Sequence, residues 1–347
     1  MRNKRRILTG VPKIGMECHY FNSALTACCN ALRPDAPLGY VFLDGMSGAA
    51  FGLAWIDLDR ICDDITAFAD WPAPVQRACA AAGYRCRMLT APPDSAEARA
   101  LYRTEIVASI DRGVPVLATG VYGPPTFGAI VGYDDEGETL LGTSFFQNFW
   151  DYTPDPEYPQ YYRQRDWTLE GPRLVLLDGP ADPPPLPALY REALAWAIQV
   201  ARLPRIPGHP DVYAGHAAFT AWADNLANDA LFEGEDLARD MRYLDTNGGG
   251  LTTLYGRCRT GDFLRAASEQ FPAAAAELHK AAALHDRIWN EAIQRMYGPD
   301  VSPEAARIYV QPETRRKNAA LLLQARDWEI EATDWIEQAL AKLPVGS

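Results

Sequence analysis

In the first half of the chain, short apolar runs alternate with turn residues. Pro115-Val116-Leu117-Ala118-Thr119-Gly120, Thr126 to Asp134 and Thr139 to Phe146 are alternating stretches rich in β-branched residues, and Asp134-Asp135-Glu136-Gly137 separates the last two. The pattern predicts three strands, the second and third joined by a tight Asp/Gly turn where glycine accepts positive φ without steric cost. Alanine and leucine spacing predicts helices over 23–32, with Asn22 or Ser23 as N-cap, over 71–83, and over 95–112, ending before Gly113. Gly39 to Phe51 is rich in small residues, 152–162 is polar, aromatic and proline-rich, and Leu174 to Leu177 reads as a last short strand.

Beyond this point the period changes. Gly179-Pro180-Ala181-Asp182-Pro183-Pro184-Pro185-Leu186-Pro187 can be neither helix nor central strand. After it, apolar residues recur at three- and four-residue spacing over 188–202, 214–228, 251–270, 273–297 and 312–343, with Asn247-Gly248-Gly249-Gly250 as a break. The expectation is an α+β domain over 1–178, a proline-rich linker over 179–187 and an all-α domain over 188–347. A chain of 347 residues also favours two domains over one.

Composition narrows the class. Hydrophobic residues make up 48%, enough for packed cores. A net charge of −12 argues against nucleic-acid binding, which rests on Lys and Arg neutralising phosphates, and disfavours acidic membranes. No segment offers the roughly 20 apolar residues of a membrane span. The basic start, Met1 to Arg6, is followed by Pro12, Lys13 and Gly15 rather than an apolar core, so a cytoplasmic protein is expected. Cys18, Cys28, Cys29, Cys62, Cys79, Cys86 and Cys258 form no C-x-x-C pair and no repeated spacing, so no metal, cofactor or disulfide framework is expected. Reduced thiols, mostly buried as small hydrophobes, fit best.

The candidate chemistry starts at Cys18. It precedes a helix, whose dipole and unpaired N–H groups lower a thiol's pKa. Cys28 and Cys29 lie within that helix and read as core. A Cys–His enzyme needs an imidazole within hydrogen-bond reach of sulfur. His19 is adjacent in sequence, and His216, opening a helix after Gly215, is the candidate from the second half. Ser47, Phe127, Tyr133 and Arg257 are candidate substrate contacts; Arg257 and Arg259 flank Cys258 and could clamp an anion. Asp134 and Asp135 read as solvated turn formers, and Asp57-Leu58-Asp59 and Asp63-Asp64 as a solvated face or helix start rather than a cation site.

The order of these parts resembles the butirosin biosynthesis protein H family. The resemblance is carried by a cysteine before a helix, the Gly45-Met46-Ser47-Gly48-Ala49-Ala50-Phe51 segment, a hairpin over Val131-Gly132-Tyr133-Asp134-Asp135-Glu136-Gly137, and helices bearing Gly249-Gly250 and Arg257…Phe263-Leu264. It spans most of the chain through short motifs. It implies a papain-like, cysteine-peptidase-type N-terminal domain joined to a helical domain, and thiol chemistry that moves an acyl group from an acyl carrier protein to an amine. Two positions depart from the pattern. Cys18 lies six residues before Ala24-Leu25, where the family has about four, and Thr126-Phe127 stands where the family has its histidine. The polar residues nearest the usual third member are Thr143, Ser144, Gln147 and Asn148. Two functions are therefore expected: a thiol-dependent acyltransferase or amide hydrolase with Cys18 as nucleophile, or an inactive relative that binds a small molecule or peptide in the cleft. A role as a structural or assembly partner in a biosynthetic pathway is a third.

Overall fold

A computed structural model describes residues 4–15, 17, 19–56, 72–90, 95–124, 126–165, 167, 173–232, 256–296 and 303–343. Cys18, Cys62, Asp57-Leu58-Asp59, Asp63-Asp64 and Asn247 to Gly250 lie outside these residues. The protein is α+β. It divides into two compact units, Met1–Leu43 with Val75–Pro183, and Asp44–Pro74 with Pro184–Ser347.

The first unit is built on an antiparallel sheet. Its strands are β1 (Arg6–Ile7), β3 (Tyr84–Thr90), β4 (Val116–Thr119), β5 (Phe127–Asp134), β6 (Thr139–Thr143), β7 (Tyr162–Arg165) and β8 (Arg173–Pro180). The order is β3-β8-β4-β5-β6-β7, and β1 also pairs with β5. The expected meander is β4-β5-β6, in register at Leu117↔Ala129 and Ala129↔Thr143. Its turn, Asp135–Gly137, places Gly137 at φ 98°. Strand β3, which follows helix α3 (Ala73–Ala81), was not predicted, although Tyr84, Cys86 and Met88 alternate with Arg85 and Arg87 as a half-buried edge strand does.

Helices cover both faces. Helix α4 (Ala96–Asp111) is capped by the Ser95 side chain, which accepts from Ala98 N–H. Tyr102, Ile106 and Ile110 of α4 join Val116, Ala118, Ile130, Tyr133, Leu140, Leu174 and Leu176 in one core. Helix α1 (Tyr20–Leu32) packs on β4 and β5. Since alternate strand residues face opposite ways, Phe127, on the face opposite Ile130, turns toward α1, where its ring meets Phe21. A register shift between Ile130 and Gly132 then brings Tyr133 back to the α4 face, three residues after Ile130. Helix α1 starts earlier than predicted. Its N-cap is His19, so Asn22 and Ser23 fall inside the helix.

The second unit is mainly helical: α5 (Leu186–Arg202), α6 (Gly215–Ala227), α7 (Arg257–Gln270), α8 (Ala275–Arg287), α9 (Pro303–Tyr309) and α10 (Pro312–Ala341). Helix α8 continues through a π-helical turn, Ile288–Ile293. The expectation of an all-α second half does not hold. Strands β9 (Arg205–Ile206) and β10 (His209–Ala214) pair with β2 (Ala54–Ile56) in a three-stranded sheet. The strands β9 and β10 turn at Gly208, φ 83°, and β10 takes its partner from more than 150 residues earlier, at Tyr213↔Trp55. No local pattern could supply that partner. The stretch 44–74 accordingly belongs to this unit: Trp55 stacks on Trp222 at 4.9 Å, and Phe51 meets Phe263 edge to face. The residues read as glycine-rich form α2 (Tyr40–Ser47) and a 3₁₀ turn at Ala49–Phe51. Gly45 is required there because a Cβ would overlap the Phe263 ring.

Candidate functional site

Within the first unit, the start of α1 is the place where candidate residues gather. His19 is buried, its backbone N–H donates to Tyr40 Oη at 3.1 Å, and its carbonyl accepts from Ser23 N–H at 3.0 Å. Two residues on, the fully buried Phe21 holds the equally buried Phe127, ring centroids 5.1 Å apart and nearly perpendicular. Position 127 of β5 is thus an apolar contact with α1. Thr126 is also buried, and its hydroxyl turns to the Pro124 carbonyl.

The polar residues after β6 are bound to backbone. Thr143 Oγ1 accepts from Ile14 N–H at 3.0 Å. Ser144 and Gln147 form a reciprocal cap, and Gln147 also donates to the Gln160 carbonyl. Asn148 donates to the carbonyls of Ile14 and Phe145. Tyr133 is a core residue whose Oη donates to Asp111 Oδ1 at 2.7 Å. Burial pushes the Cys28 thiol well up, and pushes Cys29 up to about 12, so neither is a nucleophile at neutral pH. Asp134 is more than a solvated turn residue: its carboxylate meets Arg163 at 2.9 Å and Arg5 at 3.6 Å. Both arginines also reach Asp155, which is buried. Burial alone would raise the Asp155 carboxyl; hydrogen bonds from Tyr158 N–H and Arg163 hold it below its ordinary value.

An aromatic shelf adjoins the first turn of α1. Tyr20, the first residue of the helix, lies 4.8 Å from Phe145 and 5.6 Å from Phe146, centroid to centroid. Phe145 continues to Phe149 at 5.2 Å, and Phe146 to Trp150 at 5.0 Å. Phe149 and Trp150 are 57% and 50% exposed, whereas Tyr20 is buried. The shelf therefore runs from the helix start into solvent. Phe145-Phe146 and Phe149-Trp150 were visible in the sequence as two aromatic pairs four residues apart.

Ser47, His216 and Arg257 lie in the second unit. Ser47 is fully buried and closes a local turn, donating to the Asp44 carbonyl and accepting from Ala49 N–H. Arg257 is an internal brace. Its Nε and Nη2 meet Glu329 at 3.0 and 2.7 Å, and its Nη1 and Nη2 donate to the Gly52 and Phe51 carbonyls. Burial alone would raise the Glu329 carboxyl, but the Arg257 charge and its hydrogen bonds hold it below the usual carboxylate range. His285 is buried beside the pair, edge-on to Phe51, and burial lowers its pKa to about 4. His216 Nε2 lies 3.3 Å from Thr333 Oγ1, and burial lowers its pKa as well. Glu329 and His285 were missed in the sequence because their partners Arg257 and Phe51 lie far away along the chain. Among the described residues, no three His, Cys, Asp or Glu side chains converge to hold a metal ion, and no helix is long and apolar enough to cross a membrane. No protein-family model matches the chain, and no curated protein matches it in sequence.

Proposed function

We propose that the protein is a binding protein on a papain-like scaffold, taking a small molecule or peptide with an apolar or aromatic group at the start of α1. The aromatic shelf carries this reading: rings in tilted contact from the buried Tyr20 out to the half-exposed Phe149 and Trp150 offer a face for a ligand ring or aliphatic chain. The Phe21–Phe127 contact supports it from the other side, since the face of β5 that meets α1 holds hydrocarbon where proton transfer would need imidazole.

A second reading is favoured by one observation. Helix α1 begins two residues after Cys18 in sequence. A thiol near a helix N-terminus is favoured as thiolate. A thioester donor needs less base assistance than an amide, so Cys18 would then serve acyl transfer from a carrier protein. The pH dependence of iodoacetamide alkylation of the native chain, mapped by mass spectrometry, separates the two. The binding reading expects Cys18 to label with an apparent pKa near the free-thiol value of about 8.5. Fast labelling of Cys18 with a pKa well below that value overturns it in favour of acyl transfer.

A further inference from the structure

The proline-rich stretch before α5 presents a surface of its own. Asp182, Pro183, Pro184, Pro185, Leu186 and Pro187 are all exposed, Leu186 at 43%. A proline ring fixes φ near −65°, and a residue that precedes proline is held in extended backbone. Asp182, Pro183 and Pro184 each precede a proline, and Pro185 takes φ −52° and ψ 143° before α5 begins at Leu186. Pro183 to Pro185 are therefore a short, preformed polyproline II rod that offers pyrrolidine rings to solvent and no backbone N–H.

We propose that this rod docks on the aromatic shelf of a second copy of the chain. The inference rests on the reading of the shelf as a binding face and names its occupant. Aromatic surfaces recognise polyproline segments because the pyrrolidine rings pack on the aromatic faces and a rod already in its bound conformation loses little entropy. The lengths agree. One turn of such a rod is three residues and about 9 Å, the reach of two successive steps along the shelf, Tyr20 to Phe145 at 4.8 Å and Phe145 to Phe149 at 5.2 Å. In one chain the rod, Phe149 and Trp150 are all exposed, so the contact joins different chains.

Charge complementarity sets the direction of the rod. Asn148 donates to the carbonyls of both Phe145 and Ile14, which brings the exposed Lys13 to the Phe145 end of the shelf. The exposed Asp182, at the start of the rod, is the complement of that cation. At the other end Asp151, exposed next to Trp150, meets the start of α5, where the helix dipole is positive. Each chain carries one rod and one shelf, so the contact closes reciprocally into a dimer or runs on head to tail.

The test is sedimentation equilibrium of the native full chain over a range of concentrations. The weight-average mass is expected to climb above that of one chain. Phe149→Ala/Trp150→Ala removes the outer rings of the shelf, and Pro183→Ala/Pro184→Ala loosens the rod at positions outside every helix of the chain. Each double variant alone should stay at the mass of one chain where the native protein associates. Their equimolar mixture should regain association, because one keeps the rod and the other keeps the shelf. A native protein that stays single at every concentration, association that survives either variant, or a mixture that stays single would each overturn the inference. An anilinonaphthalene dye separates that failure from failure of the underlying reading. Dye fluorescence that falls in Phe149→Ala/Trp150→Ala while the native protein stays single leaves the binding face standing with another occupant. Equal dye fluorescence with a single native chain removes the binding face as well.

Discussion

Arg257 and Glu329 lie side by side in the second unit, Nη2 to Oε1 at 2.7 Å, with side chains 0% and 1% exposed. The pair also ties the C-terminal end of the 3₁₀ turn at Ala49–Phe51 to helices α7 and α10, through the carbonyls of Phe51 and Gly52. Removing one member strands a buried charge. Glu329→Leu or Arg257→Met should cost about 3–5 kcal/mol each in urea unfolding. The double variant Arg257→Met/Glu329→Leu should recover part of that loss, but not the part owed to the two abandoned carbonyls. A double variant no better than the sum of the singles would mean the pair is not coupled.

His285 makes the second unit sensitive to mild acid. The unfolded side chain takes a proton near its ordinary 6.5, whereas burial, opposed by Glu329 and reinforced by Arg257, lowers the folded value to about 4. Between these values the unfolded chain binds the additional proton, so stability rises with pH across the window and is lost as pH falls from 6.5 toward 4, by about 3 kcal/mol. His216, also lowered by burial, acts in the same direction. Urea unfolding from pH 7 to 4.5 should show the slope, and His285→Gln should flatten most of it. An unchanged slope in that variant would place the acid sensitivity elsewhere.

The aromatic shelf should be separable from the fold. Phe149→Ala/Trp150→Ala removes rings that are about half exposed, with little core to lose, so urea stability should move by no more than about 1 kcal/mol. The fluorescence gained by an anilinonaphthalene dye on the native protein should fall several-fold in the same variant. Equal dye fluorescence in both proteins would remove the shelf as a binding face.

What the sequence disclosed depended on the range of the interaction. Helix α4 was readable to within a residue, because Ser95 caps it locally and Gly113, φ 82°, ends it locally. The β4-β5-β6 meander was readable for the same reason, since its strands follow one another through short connections. The side of the sheet that Tyr133 faces was not, because the register shift before Gly132 leaves no mark on the local alternation. Arg257 read as a substrate-contacting or anion-binding arginine, since its acidic partner stands 72 residues away. At the start of α1, the Thr126-Phe127 anomaly was visible in sequence, while its consequence, hydrocarbon packed on Phe21, needed the third dimension.

The division of the chain into interleaved units has a consequence for the order of synthesis. Trp55 and the carbonyls of Phe51 and Gly52 emerge from the ribosome well before their partners Trp222, Arg257 and, through it, Glu329. The second unit cannot complete its core until residue 329 has been made. A break at the proline-rich stretch after Asp178 would leave both fragments incomplete, the earlier one carrying an unmatched apolar strand and the later one missing it. Mixing the two fragments, rather than expressing either alone, is the route by which they would regain a native core.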